Sequence, residues 1–392
     1  MIVASDTPAD PIAAVTHADP YPYYADMVEN RPFYFDEPLG FWVASSADAV
    51  VAALTSGICR VRPPAEAVPN VLQGGPAGEI FRRLVRTRDD ADRQRVKSVL
   101  TAGIDAIDLG NVRTTTDKWA TALLEQIGEP FEWSRFMPEI AFRVPAYVVA
   151  STLGIGDERL EELCSRLDDF VRCLSPFASA EQVDRGNISA EQLLEVFQPL
   201  HPAAETIANA IGLLLQSYEA TAGLIGNTLL ALSRHQGMLE AIVREPEMLA
   251  RLTEEVLRYD SPVQNTRRFV AERGSIMGET LSEGDRILVV LAAANRDPEA
   301  NPRAEQFDVS RVDRRLFTFG IGPHACPGKA VASTIAAATV ECVIRRGLDL
   351  RDLANAVSYR PSANVRIPLF GPHGGSSAVV TCYRQHLDGP RV

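Results

Sequence analysis

From Pro202 to about Ser233 the apolar residues Ile207, Ile211, Leu214, Leu215, Tyr218, Ala222 and Ile225 recur at intervals of three and four. This spacing places them on one helix face and predicts a long central helix, with Pro202 suited to its first turn. A second helical run extends from Pro246 to Tyr259, where Glu255 and Arg258 stand at i, i+3 and can pair across one face. A third, Lys329 to Ala338, starts directly after Gly328. A basic stretch, Arg82, Arg83, Arg86, Arg88, Arg93, Arg95 and Lys97, runs into a further predicted helix; by itself it reads as an ordinary solvated face. No apolar run approaches the length of a membrane span. Neither a repeat nor a linker divides the 392 residues, so one domain over 1–392 is expected. The first residues, Met1 to Pro8, carry neither a signal peptide nor an anchor.

Composition narrows the possible functions. Apolar residues make up 46% of the chain, enough for a large core, and the net charge of −12 argues against a nucleic-acid partner. The six cysteines include no C-x-x-C, which argues against zinc or an iron–sulfur cluster and fits a reducing cytoplasm better than a disulfide framework. Cys59, Cys164, Cys173, Cys342 and Cys382 read as small buried hydrophobes. Cys326 differs, because it stands in Phe319-Gly320-Ile321-Gly322-Pro323-His324-Ala325-Cys326-Pro327-Gly328. Glycines allow positive φ and close approach of a flat ligand, while Pro323 and Pro327 stiffen the turn and remove N–H donors. The remaining N–H groups and the N-terminus of the next helix can hold the sulfur as an anion. A lone thiolate above a glycine-lined surface suits an axial ligand to haem iron. A phosphate cradle would need a P-loop Lys-Ser/Thr pair or a G-x-G-x-x-G, and neither occurs here.

The loop resembles the cysteine-ligand motif of the cytochrome P450 family, F-G-x-G-x-H-x-C-x-G, at Phe319, Gly320, Gly322, His324, Cys326 and Gly328. Glu255-Val256-Leu257-Arg258, followed by Asp260-Ser261-Pro262-Val263-Gln264 and Arg267-Arg268, resembles the family's E-x-x-R helix and the strand after it. Ala293-Ala294-Asn295-Arg296-Asp297-Pro298 and Phe307-Asp308 resemble its A-N-R-D-P and R-F-D landmarks, here with Gln306 before the Phe. Asp19 to Ala44 is similar to its N-terminal helix and first strands, so the likeness covers nearly the whole chain. The resemblance implies a mainly α fold with a small β portion, and haem b (iron protoporphyrin IX) between the central helix and the loop. Cys326 would ligate the iron, with Phe319, Gly320 and Gly328 around it. His324, Arg268 and Arg95 would hold the propionates, and Glu255–Arg258 would be a buried structural pair. The histidine usual four residues before the propionate arginine is missing, because Ala91 stands there. Members without an anchor are typically bacterial. A monomeric cytoplasmic enzyme is therefore expected, taking electrons from a separate ferredoxin and its reductase.

The central helix departs from the family pattern. The oxygen-binding helix usually carries two small residues, a variable residue, an acid and a threonine. Here Gln216 and Ser217 replace the small pair, Tyr218 is the variable residue, Glu219 is the acid, and Ala220 stands at the threonine. Leu224-Ile225-Gly226-Asn227 keeps the usual register, so Thr221 lies about 100° further round the helix. In the family the acid–alcohol pair orders water and relays protons to oxygen at the iron. Ala220 cannot supply that hydroxyl, and general acid–base help of this kind is worth about 10²–10⁴ in rate. Three repairs stay open. Gln216, one turn earlier, could present its amide. A substrate hydroxyl or amine could complete the relay. The enzyme could also run peroxide-driven oxidation, C–C or C–N bond formation, or nitrene-type transfer from a substrate carrying an N–O bond. A fourth reading makes Gln216, Ser217 and Tyr218 packing neighbours and Ala220 a tolerated loss.

In similar enzymes the pocket is lined by regions corresponding to residues 68–80, 171–197, the central helix, 263–266 and 367–369. Ser217, Tyr218, Val263, Asn265, Ile367 and Leu369 would give a mixed, mainly apolar wall. The expected function is oxidative tailoring of a small molecule in specialised metabolism, antibiotic biosynthesis included. Polarity at 216–218 suggests a polar or aromatic substrate, and the apolar stretches suit a fatty or terpenoid one equally. A non-catalytic haem-binding scaffold is the reading from another class; Cys326 counts against it and Ala220 for it.

Overall fold

A computed structural model describes residues 7–175, 178–351 and 353–371. The predicted central helix runs Ala204–Arg234, so Pro202 precedes it by two residues instead of sitting in its first turn. From Thr221 to Ser233 every residue is buried. Helices Arg143–Thr152, Met248–Tyr259 and Lys329–Arg345 pack around this stretch. Gly226 is required for one close approach, since a Cβ there would lie 2.6 Å from Pro368 Cγ. Near its start the helix anchors the basic segment. Asn209 accepts from the Val85 N–H at 2.9 Å and donates to the Arg83 carbonyl at 2.9 Å. Glu205 pairs with Arg88 at 2.6 Å and with Arg95 at 3.2 Å.

The β portion is small, as expected. Its main sheet runs Phe33–Asp36, Phe41–Ala44, Arg286–Val289, Thr266–Val270 and Cys59–Arg60 in spatial order. Trp42 pairs with Ile287 in parallel register, and Arg268 faces Ile287 in antiparallel register. Arg268 is thereby fixed on a strand beside the loop region. The N-terminal helix, Tyr21–Asn30, comes before this sheet as the sequence predicted.

Glu255 and Arg258 sit in helix Met248–Tyr259 with both side chains fully buried and 2.6 Å apart. Two buried charges without further partners would be costly, so the surrounding donors and acceptors matter. Arg258 also donates to the carbonyls of Ala304 (2.8 Å) and Gln306 (2.7 Å). Glu255 accepts from the Asp308 N–H and from Arg314, each at 3.0 Å. From the same helix a polar chain leads to the cysteine loop. Thr318 donates to the Leu257 carbonyl at 2.6 Å, and Asn295 joins Thr318 (2.8 Å) to the Phe317 N–H (2.7 Å). A second buried pair is not apparent from sequence spacing: Arg366 holds Asp260 at 3.0 Å and donates to the carbonyls of Val15, His17 and Ala18. It ties the N-terminal segment to the far end of the described chain.

Among the described residues no helix is long and apolar enough to cross a membrane. Cys59, Cys164, Cys173 and Cys342 are buried free thiols. Cys382, Met1 to Asp6, and Pro176 and Phe177 of the 171–197 segment lie outside the described residues.

Candidate active site

The loop from Phe319 to Gly328 folds back on itself. Gly320 and Gly322 take φ of +65° and +69°, where a side chain would be strained. The Cys326 N–H bonds the Phe319 carbonyl at 2.8 Å, and the Ala325 N–H bonds Gly322 at 3.0 Å. These bonds turn Cys326 outward, and it is the one exposed thiol among the described cysteines. The Gly328 N–H points at its sulfur from 3.4 Å, and helix Lys329–Arg345 begins at the next residue. Burial of the surroundings pushes the thiol above its ordinary range, opposed by the Gly328 N–H and the charges of Lys97 and Arg86.

Helix Arg93–Asp105 lies against this loop, and it turns Arg93 toward it. Arg93 is buried and donates to the Pro323 carbonyl. Arg95, two residues on and so about 200° round, points outward to Asp92 (2.7 Å) and Glu205 (3.2 Å), with its side chain 63% exposed. The expectation for Arg95 therefore needs correcting: the inward arginine is Arg93. The residue four before it is Asp89, not Ala91. Asp89 holds His324 Nε2 at 2.8 Å and accepts from the Val61 N–H at 2.7 Å. Arg268, nearly buried, lies close enough to Arg93 and Asp89 to feel both charges. A helical-face reading could have found Arg93, because it shares its side with the buried Val96 while Arg95 does not.

Along the first half of the central helix, Leu213, Gln216, Ser217 and Ala220 are only half-buried and fall at i, i+3, i+4 and i+7, one open stripe, with Glu219 half-buried beside it. Gln216 Nε2 donates back to the Gly212 carbonyl at 2.8 Å, and Ser217 Oγ donates to Leu214 at 2.9 Å. Both polar side chains thus commit a donor to their own helix. Tyr218 is not on the stripe; it is buried with its ring 4.9 Å from Phe142. Thr221 is buried as well. Glu219 lies beside the stripe, 3.6 Å from Arg360. Burial pushes its carboxyl above the ordinary range; Arg360 and Arg172 pull it down, and Asp168 pushes it up. Arg360 was not visible as a partner from sequence, since it enters from the end of the hairpin Val357–Tyr359/Pro368–Phe370.

Comparison with known proteins decides the family. The family model "Cytochrome P450" matches residues 119–346, more than half of the chain. The chain belongs to the cytochrome P450 family. It is 24% identical over 371 residues to the biotin biosynthesis cytochrome P450 of Bacillus subtilis, covering 88% of this chain and 93% of that protein. It is 27% identical over 347 residues to the 6-deoxyerythronolide B hydroxylase of Saccharopolyspora erythraea, covering 81% and 85%. In fold it is similar to the crystal structure of CalO2, with TM-score 0.78, 23% identity and coverage of 94% and 100%. It is likewise similar to P450BioI in complex with an acyl carrier protein, with TM-score 0.77, 23% identity and coverage of 90% and 98%.

As a cytochrome P450 the enzyme is an oxidoreductase whose cofactor is haem b, and the residues fit that group. An outward thiol with an N–H aimed at it suits the iron. The two buried arginines, Arg93 and Arg268, share one neighbouring carboxylate, Asp89, with Asp90 also near Arg93, and Arg93 Nε has no partner. That leaves cationic capacity for the two propionates. Of the expected pocket residues, Val263 and Leu369 are half-buried. Asn265 is buried with its amide on the Ala363 carbonyl (2.8 Å), and Ile367 is fully buried against the central helix beside Gly223. Asn265, Ile367 and Tyr218 are thus buried with the contacts described, and Leu213 joins the open stripe.

Proposed function

We propose that this single-domain cytochrome P450 tailors a small molecule of specialised metabolism, and that the substrate supplies the hydrogen-bond donor that Ala220 lacks. The observation carrying this reading is the stripe Leu213, Gln216, Ser217 and Ala220, whose two polar members already donate to helix carbonyls. Ser217 has no hydroxyl proton left to put in place of the family's threonine, and Gln216 offers one remaining amide N–H but no hydroxyl. A hydroxyl or amine on the substrate meets that need without any rearrangement of the helix. Small-molecule tailoring is also what two relatives are named for: the 6-deoxyerythronolide B hydroxylase, and the 20-oxo-5-O-mycaminosyltylactone 23-monooxygenase of Streptomyces fradiae, 24% identical with coverage of 89% and 88%.

In this reading Cys326 holds the iron, with Phe319, Gly320 and Gly328 shaping the loop beneath it, and Arg93, Arg268 and His324 hold the propionates. Haem supplies oxygen activation when bound. Glu219 accepts and returns a proton at its carboxylate, with Arg360 holding that carboxylate in place. Val263, Leu369 and Leu213 offer apolar contact, while Ser217 Oγ keeps lone pairs that can accept from a substrate hydroxyl. A ferredoxin and its reductase deliver electrons to a monomeric cytoplasmic enzyme.

The test is product formed per reduced donor consumed. With a hydroxyl-bearing substrate the wild type should couple well, and the deoxy analogue should lose coupling at least tenfold. Ala220→Thr should restore the deoxy analogue. Equal coupling for both substrates would sink the reading, and a loss confined to Gln216→Ala would return the role to Gln216.

A further inference from the structure

The carbonyl groups of the cysteine loop can be followed one by one. Phe317, Phe319 and Gly322 accept from the N–H groups of Gly320, Cys326 and Ala325. The carbonyls of Pro323 and Ala325, flanking His324 and leading directly into Cys326, receive their donors from outside the loop. Lys97 Nζ bonds Pro323 O at 2.7 Å and Ala325 O at 2.6 Å, and Arg93 adds a second donor to Pro323. Lys97 lies one turn after Arg93 on the same side of its helix. Its ammonium borders a groove of about 600 Å³ that also includes Gln94, Ser98, Thr101, Asp105 and Cys326. Among the bases of this helix Arg95 is engaged by surface acids, whereas Lys97 is engaged by the loop.

We propose that Lys97 is a positioning residue for the thiolate: its ammonium clamps the two carbonyls that aim Cys326 and keeps a fixed positive charge behind the sulfur. An ammonium has three donors in a compact head, so one side chain can satisfy both carbonyls where a neutral amide would reach one. The charge acts on the iron through the sulfur side. Adding an electron to the haem makes the site more negative, so a nearby cation favours the reduced form. This role differs from docking an electron donor, because two of the three ammonium donors are already taken by the loop.

The inference rests on Cys326 being the haem ligand, and Cys326→Ala checks that separately: it should abolish thiolate-type absorption in the reduced, CO-bound protein. With that ligation present, the midpoint potential of haem-loaded protein is measured at an electrode, with no protein partner. Lys97→Met and Lys97→Gln should each lower the potential, by about tenfold in the one-electron equilibrium or roughly 59 mV. They should also lose part of the thiolate-type CO signal. Lys97→Arg keeps the charge and should stay near wild type in potential. If the Met variant does not hold haem, the Gln variant decides on the same two readouts. Unchanged potential and unchanged CO signal in a neutral variant would overturn the proposal. A slowed reduction by ferredoxin in that same variant would assign Lys97 to docking instead.

Discussion

At the scale of single residues, Cys326 and Ala220 define opposite sides of the chemistry. Cys326 was legible in the sequence because its loop concentrates unusual residues: glycines whose φ is positive and prolines that remove donors. Gly320→Ala should therefore destabilise the folded protein by about 1 kcal/mol, read as a lower denaturant midpoint at unchanged slope. What Gln216 does was not legible. An amide on an open stripe can reach into a cavity or fold back on its helix, and here it folds back to a second lone pair of the Gly212 carbonyl one turn earlier. The misplacement of Arg95 has a similar origin. Arginines at alternate positions look alike as text, while the helix sends Arg93 inward and Arg95 to solvent. Arg93→Gln is expected to speed loss of haem to an acceptor apoprotein several-fold, and Arg95→Gln to leave that rate unchanged. Equal rates for the two variants would contradict this orientation.

At the scale of elements, the central helix and the C-terminal hairpin meet through Glu219 and Arg360. Arg360 also bonds Asp168 at 3.3 Å, and Asp168 is held by Arg172 at 2.7 Å, so the carboxylate is the inner end of a charged row reaching helix Leu160–Cys173. Burial raises the Glu219 carboxyl and Arg360 lowers it. Removing the cation in Arg360→Gln should raise the pKa further, and the acid limb of the coupling-versus-pH profile should move to higher pH. Glu219→Gln should erase that limb. The sign for stability follows from the same direction. A carboxyl raised in the folded state binds its proton more tightly than in the unfolded chain, so its contribution weakens as pH climbs from the unfolded to the folded pKa. Glu219→Gln should thus gain stability relative to wild type above that window and not below it. Element positions themselves were readable from the sequence: the helices at 204–234 and 248–259 lie within two residues of the predicted ones, and the one at 329–345 starts where expected but runs on past Ala338. The hairpin contact was not, because nothing in local spacing says which strand end will face position 219.

At the scale of the molecule, the buried pairs Glu255–Arg258 and Asp260–Arg366 flank one turn of chain and hold different parts of the fold. The first holds the segment from Ala304 to Arg314, and the second holds the N-terminal residues 15–18. Breaking a buried pair by removing one partner typically costs about 3–5 kcal/mol. Arg258→Met should approach that cost in chemical unfolding, with a smaller haem-loaded yield. The E-x-x-R pattern made the first pair visible, whereas the second joins residues 106 apart and needs the folded chain. Both pairs stiffen the frame that carries the cysteine loop on one side and the open stripe on the other.

The central claim, that Cys326 holds haem iron as a thiolate, is tested most directly by absorption of the reduced, CO-bound holoprotein. The account predicts the red-shifted Soret band of a thiolate-ligated haem in the wild type and its absence in Cys326→Ala. A wild-type band matching a histidine- or thiol-ligated haem, or the thiolate band surviving in Cys326→Ala, would contradict it.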